Sequence, residues 1–220
     1  MSSLILKLDN ISFSYRQRHS FFRSNNHKVI NQLTLNIYQG DRIGIIGRNG
    51  VGKSTLLRIM AGVNSPDEGS VKHYSEHISL LSLQAGFDPQ LTGWDNALFG
   101  CVLNGMSVKK AKTKLDEIHE FSELGDQMNE PLKTYSSGMK ARLGFGVVAV
   151  NDVDLLLIDE VLSVGDINFR EKCKKTVEEK IENGCSIVVV SHSMGKLKTW
   201  TDQVYDFGVD NEKTILLPID

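Results

Sequence analysis

Apolar residues at every second position open the chain: Leu4, Leu6 and Leu8, then Leu33, Leu35 and Ile37. Period two marks a strand with one buried face, so LILKL and QLTLNI are predicted to be half-buried antiparallel strands. The polar stretch between them, RQRHSFFRSNNHK, is predicted to be an irregular surface loop. Beyond residue 41 the pattern changes. RIGIIG, DLLLID at 154–159 and SIVVVS at 186–191 are short apolar runs suited to strands buried on both faces of a parallel sheet. Other segments repeat at three and four. KSTLLRIMAG is predicted to be a helix ending at Gly62 in the C′ position. Val108, Ala111, Leu115, Ile118, Phe121 and Leu124 predict one helix within 107–125, with Ser107 as N-cap and Gly125 at its end. A third helix is expected after SSG through MKARLGFGVVAV, and a charged one over FREKCKKTVEEKIENG. QVYDFGVDNEKTILL predicts two short strands around a turn at Asp210-Asn211.

Strand alternating with helix predicts an α/β fold with a largely parallel core sheet. The stretch from about 87 to 150 breaks that rhythm and reads as an inserted helical subdomain. The core of a single domain spanning 1–220 would then cover about 1–86 and 151–220.

Composition narrows the function classes. The 220 residues suffice for one domain with an inserted subdomain. The net charge of −2, with no strongly basic block, speaks against nucleic acid as the main partner. No run approaches the roughly 18 apolar residues of a membrane span. MSSLILKLDN has neither the basic nor the long apolar region of a secretory signal. Cys101, Cys173 and Cys185 lie far apart and form no CxxC, which reads as reduced thiols in a cytoplasmic protein rather than a metal site.

The chemistry concentrates in GRNGVGKST, residues 47–55. Gly47 to Ser54 match G-x-x-x-x-G-K-[ST] between a predicted strand and a predicted helix, the context this phosphate-binding loop requires. Gly47, Gly50 and Gly52 let main-chain N–H groups around Asn49 point inward, and the helix that follows adds its positive end. Lys53 would reach the β- and γ-phosphates, the Ser54 hydroxyl would ligate Mg²⁺, and Thr55 could touch the α-phosphate. DLLLIDE ends in two acids. Asp159 is placed to hold Mg²⁺, and Glu160 to orient and deprotonate an attacking water; taken alone, a strand capped by solvated acids reads the same way. YSSGM at 135–139 offers hydroxyls and N–H groups at a helix start, a second anion site or an ordinary N-cap. His192 follows the strand SIVVVS, a position that taken alone is more often structural than catalytic.

These elements occur in one order: phosphate loop, Gln84 near a strand end, a Ser-x-Gly helix start, the acidic strand end, a Ser-His pair. Over nearly its whole length the chain thereby resembles the nucleotide-binding domain of ABC transporters. The resemblance implies a P-loop NTPase cassette with a RecA-like core sheet, an antiparallel β subdomain and an inserted helical subdomain. It implies ATP and Mg²⁺ as cofactors. It makes Lys53, Glu160 and His192 catalytic, with His192 the switch histidine. Ser54, Gln84 and Asp159 become the Mg²⁺ side, and Tyr15 the aromatic that stacks on adenine. Gly47, Asn49, Gly50, Gly52, Lys53, Ser54 and Thr55 become the nucleotide cradle. Ser136, Ser137, Gly138 and the D-loop acid Asp166, in Ser163-Val164-Gly165-Asp166, complete the nucleotide contacts. Two copies of such a domain would sandwich two ATP molecules, each cradle facing the other copy's signature. The signature departs from the family's LSGGQ: Ser137 replaces the first glycine and Met139 the glutamine, while Ser136 and Gly138 are kept. Gln84 stands about one residue short of the usual spacing to Leu91-Thr92-Gly93.

YSSGMKARLGFG, DEVLSVGD, NFREKC, SHSM and AGFDPQLTGWDN are similar to the ATPase subunits of ABC-2-type exporters of surface polysaccharides such as O-antigens, capsules and teichoic acids. That subgroup implies ATP-driven export of a lipid-linked glycan, docking at the cytoplasmic face of the inner membrane, and an ABC-2-type permease as partner. The permease's coupling helix would sit near residues 84–100. With 28 residues after His192, no C-terminal carbohydrate-binding domain is expected. The alternatives are an ABC ATPase for another cargo and a non-transport ABC ATPase.

Overall fold

The computed structural model describes residues 2–20, 23–81, 86–159, 166–210 and 213–219. In chain order the elements begin with β1 (Leu4–Ser20), β2 (Arg23–Tyr38), β3 (Arg42–Ile46), α1 (Lys53–Met60) and β4 (Glu68–His73). There follow β5 (Ile78–Leu81), α2 (Gly93–Leu103), α3 (Val108–Thr113), α4 (Leu115–Ser122), two short 3-10 turns, α5 (Ser137–Val150), β6 (Leu155–Asp159) and α6 (Ile167–Glu182). The chain closes with β7 (Ser186–Ser191), α7 (Met194–Leu197), β8 (Gln203–Asp210) and β9 (Lys213–Ile219). They form two compact units, residues 1–75 with 186–220, and residues 76–185.

In the first unit β1 runs antiparallel between β2 and β4. Leu6, Leu8, Leu33 and Ile37 are buried, as their period-two spacing predicts, and a register shift between Leu4 and Leu6 accompanies the burial of Ile5. The stretch expected to be a loop is instead a continuation of the ladder: Arg16 pairs with Asn26, Gln17 with Asn25 and Arg18 with Ser24. Main-chain pairing needs no apolar side chains, and neither glycine nor proline interrupts residues 16–28. β3 lies between β7 and β8, parallel to both, and β9 returns antiparallel along β8. The Asn31 N–H donates to Thr214 Oγ1 at 2.9 Å, joining the antiparallel sheet to β9.

In the second unit β5 and β6 pair in parallel, with Leu81 opposite Ile158. The helices enclose a core that includes Cys101, Ile118, Met128, Leu143 and Val147. Residues 107–125 are not one helix. α3 ends at Thr113, whose Oγ1 donates to the Lys110 carbonyl at 2.7 Å. The Lys114 N–H then bonds only three residues back, to Ala111, and α4 starts afresh. Ser107 caps α3 as expected, accepting from the Lys110 N–H at 3.3 Å. The third expected helix, α5, starts two residues earlier than predicted, at Ser137. All three cysteines are buried thiols outside any disulfide. Burial pushes the Cys173 thiol up to about 12 and Cys185 up to about 11, so both stay neutral.

Asn96 organises the entrance to the helical region. It is fully buried. Its Nδ2 lies within 3.1 Å of the carbonyls of Asp88, Leu91 and Thr92, and its Oδ1 accepts from the Asp88 N–H at 2.8 Å. The loop so held is bonded onward. The Leu132 N–H donates to the Leu91 carbonyl and the Lys133 N–H to the Pro89 carbonyl, each at 2.9 Å. Substituting Asn96→Leu keeps the volume but removes all four side-chain bonds, including those to the Asp88 N–H and carbonyl. It is expected to cost at least about 1–3 kcal/mol, read as a lower urea midpoint at unchanged slope.

Candidate functional site

Two parallel strands of the first unit, β3 and β7, end at one edge, and β8 runs on past them beside β9. Ile46 of β3 pairs with Ser191 of β7 on one side and Asp206 of β8 on the other. Gly47 and His192, each one residue beyond a pair, therefore emerge side by side. The carboxyl edge of parallel strands is where such sheets receive ligands.

From that edge the chain turns through residues 47–52 into α1. Gly50 has φ +78° and Gly52 φ +119°. At Gly52 a Cβ would also stand 2.5 Å from Val29 Cγ1, so both conformation and space demand glycine. As the N-cap of α1, Gly52 offers no side-chain cap, and the first turn carries no acid. The unbonded N–H groups and the positive end of the helix dipole are left for an anion. Lys53 stands at the start of this helix with its stem buried, and its Nζ donates to the Gly47 carbonyl at 2.7 Å and the Arg48 carbonyl at 3.0 Å. Those bonds hold the ammonium against the loop. Ser54 is exposed and Thr55 buried. The far end of α1 closes as expected: Gly62 takes φ +72°, the Gly62 N–H bonds to the Ile59 carbonyl and the Val63 N–H to the Arg58 carbonyl.

β1 brings Tyr15 to the same place. Its hydroxyl lies 3.1 Å from Thr55 Oγ1, and its ring packs edge-on against Phe13 with centroids 5.1 Å apart. The ring is 39% exposed, which leaves apolar surface beside the loop for a planar base. One unit thus gathers Tyr15, residues 47–55 and His192. Uncapped N–H groups, a fixed ammonium, a hydroxyl and an aromatic ring fit a nucleoside polyphosphate.

The second unit carries the remaining candidates. Asp159 ends β6, half-buried. Ser136 is the N-cap of α5, its Oγ accepting from the Met139 N–H at 3.2 Å. The hydroxyl proton is still able to donate to an anion. Ser137 and Gly138 form the first turn, and the buried Tyr135 donates to the Gln127 carbonyl at 2.6 Å. Asp166 is the N-cap of α6, accepting from the Phe169 N–H at 3.0 Å. Gln84, Glu160 and Ser163-Val164-Gly165 lie outside the described residues. Ser54 and Asp159, expected to share Mg²⁺, belong to different units. No metal-binding cluster of His, Cys, Asp or Glu occurs among the described residues. Nor is any described helix long and apolar enough to cross a membrane.

Sequence reasoning missed Arg142. It bonds both Asp166 and Glu123, and Lys172 also binds Glu123, at 2.8 Å. The available signal was a lone arginine entering the otherwise apolar run LGFGVVAV. Lys172 and Arg142 hold the Glu123 carboxyl below its usual 4.5, and the Phe169 N–H followed by Arg142 holds Asp166 below its usual 3.8. Acids depressed by folding stabilise above their unfolded values and lose that contribution as pH falls through their folded ones. Arg142→Ala is therefore expected to cost less stability at about pH 3 than at about pH 7, read from urea unfolding at the two pH values. With Lys53 as a phosphate ligand, whose charge-assisted bonds would be worth about 1.5–3 kcal/mol, Lys53→Ala is expected to lower ATP affinity roughly 10–100-fold in equilibrium titration.

The chain matches the family model described as ABC transporter over residues 30–163. It is 39% identical over 197 residues to the O-antigen export system ATP-binding protein RfbB of Klebsiella pneumoniae, covering 90% of this chain and 80% of that one. It is 41% identical over 184 residues to the teichoic acids export ATP-binding protein TagH of Staphylococcus saprophyticus, covering 84% and 69%. Among solved structures, the ATP-binding cassette MJ0796 in its dimeric post-hydrolysis state with ADP and Pi superposes with a TM-score of 0.75. That match covers 96% of both chains at 21% identity. With a phosphate cradle built on a parallel-strand edge, an antiparallel sheet beside it and a separate helical region, the chain has the ATP-binding cassette fold and belongs to the ABC transporter family.

Proposed function

We propose that this chain hydrolyses ATP to power export of a lipid-linked surface polysaccharide of the O-antigen, capsule or teichoic acid kind. The observation that carries ATP use is the Lys53 ammonium fixed at the uncapped start of α1, with Tyr15 hydrogen-bonded to Thr55 of the same helix. The cargo rests on relatives named for O-antigen and teichoic acids export that are about two-fifths identical over most of the chain.

In this reading Gly47, Asn49, Gly50 and Gly52 wrap the phosphates with main-chain N–H groups. Lys53 binds the β- and γ-phosphates, and Thr55, tied to Tyr15, lies toward the α-phosphate. Tyr15 stacks on the base. Ser54, Asp159 and Gln84 would hold Mg²⁺, which neutralises charge on the phosphates when bound. Glu160 orients the attacking water and takes its proton, and His192 holds the γ-phosphate in place. Ser136, Ser137 and Gly138 bind the γ-phosphate held in the cradle of a second copy, with Asp166 at the same junction. The working unit is a homodimer on the cytoplasmic face of the inner membrane, docked to an ABC-2-type permease near residues 84–100. ATP and its products must differ in their affinity for the closed dimer, since that difference is what a permease can feel.

Glu160→Gln removes the base but leaves the cradle. ATP affinity is expected to stay, and hydrolysis to fall roughly 10²–10⁴-fold. Unchanged turnover in that variant would take Glu160 out of the role. Unmeasurable ATP affinity in the unsubstituted chain would overturn the proposal as a whole.

A further inference from the structure

Arg142 lies on α5 one helical turn beyond Gly138 and Met139 and shares their face. Its Nη1 donates to Glu123 Oε2 at 2.9 Å and to the Ser122 carbonyl at 3.3 Å, while its Nη2 donates to Asp166 Oδ2. The guanidinium lies 4.3 Å from the centroid of the Phe169 ring. Phe169 is buried, and its own N–H donates to the other oxygen of Asp166. Three helix ends therefore meet on one side chain: the C-terminus of α4, the early turns of α5 and the N-cap of α6. Lys172 closes the set, donating to Glu123 Oε1 and to the Phe121 carbonyl at 2.9 Å. It also fixes Glu123, which sits in the left-handed region at φ +55°.

The chemistry of this cluster suits orientation better than stability. The Arg142 side chain is 18% exposed, whereas Glu123 and Asp166 are 53% and 55% exposed. Ion pairs with such exposed acids contribute little to folding, because solvent screens them. A planar fork that bonds two carboxylates and stacks on a ring nevertheless fixes three directions at once, which a lysine cannot do. What it fixes is specific. Upstream on α5, within two turns, stand Ser136 and Gly138. Asp166 directly follows the segment 160–165, which opens with Glu160.

Resting on the ATP-dimer reading above, we infer that Arg142 is a positioning residue for ATP-driven pairing of two chains. It locks Asp166 to the base of α5. Ser136, Gly138 and Asp166 are then presented as one unit to nucleotide held by a second copy. Arg142 touches no reacting atom in this account. The Lys53 cradle is built from other elements, so Arg142 governs pairing and turnover and leaves nucleotide capture by a single chain alone.

The test uses the full chain carrying Glu160→Gln, mixed with Mg·ATP and followed by light scattering for dimer formation and by a fluorescent ATP analogue for affinity. Adding Arg142→Ala is expected to weaken ATP-dependent dimerisation roughly tenfold or more while ATP affinity of the single chain stays within about twofold. Arg142→Lys, which keeps one charge and loses the fork, is expected to fall between. In chains with Glu160 intact, kcat should drop with KM for ATP unchanged. Dimerisation and turnover equal to the parent would overturn the inference. So would a parallel loss of ATP affinity, which marks a merely structural role. Should Arg142→Ala fail to fold, Arg142→Lys decides: a normal melt with parent-like dimerisation overturns the inference. A Glu160→Gln parent that binds no ATP, or binds it and stays monomeric, would instead sink the reading on which the inference rests.

Discussion

A positive charge held at the positive end of a helix is the constraint on which the site depends. Lys53 begins α1, where the dipole and unbonded N–H groups disfavour a cation. The chain accepts that placement by aiming the ammonium back at two loop carbonyls, 2.7 and 3.0 Å away. A glycine with φ +119° lets the loop curl tightly enough to offer them. Such a local rule broken and then compensated marks function rather than folding. An anion in the loop relieves the conflict, because lysine, dipole and N–H groups all attract it together. β3 and β7 serve this arrangement by ending at one level, and β1 serves it by placing Tyr15 against Thr55.

The second compact unit is organised by a different kind of interaction. There buried polar groups and ion pairs set the angles at which helices end. Asn96 holds the loop at 88–92, that loop is bonded to the segment before α5, and Tyr135 closes the same segment on Gln127. Arg142 then fixes the other side of α5 to α4 and α6. The serine-glycine start of α5 is thereby held from both sides by bonds with defined directions, which apolar packing alone does not supply.

The cradle was legible in the sequence because its chemistry is local: glycines, lysine and hydroxyl act within nine residues, and spacing carries the geometry. The buried strands were legible for the same reason, since RIGII and SIVVV declare their environment in every residue. The pairing of 16–20 with 23–26 was misread because polarity reports solvation, whereas a ladder is held by main-chain groups that every residue but proline possesses. The break at Lys114 was hidden because α3 and α4 keep an apolar face across it. Arg142 was invisible for want of its partners: Glu123 is 19 and Asp166 24 residues away, and no short pattern links them. The subgroup was legible from motifs spread over the chain, which matches exporter relatives at about 40% identity.

The central claim is that ATP held by this cradle drives a glycan out of the cell. The most direct measurement compares cells lacking the chain with cells carrying it back, either unsubstituted or as Lys53→Ala. Surface polysaccharide is stained and lipid-linked glycan is extracted from the interior. The account predicts glycan missing outside and accumulated inside, restored by the unsubstituted chain and not by Lys53→Ala. A normal surface with no internal accumulation would contradict it and leave an ABC cassette whose cargo must be sought through the membrane protein it binds.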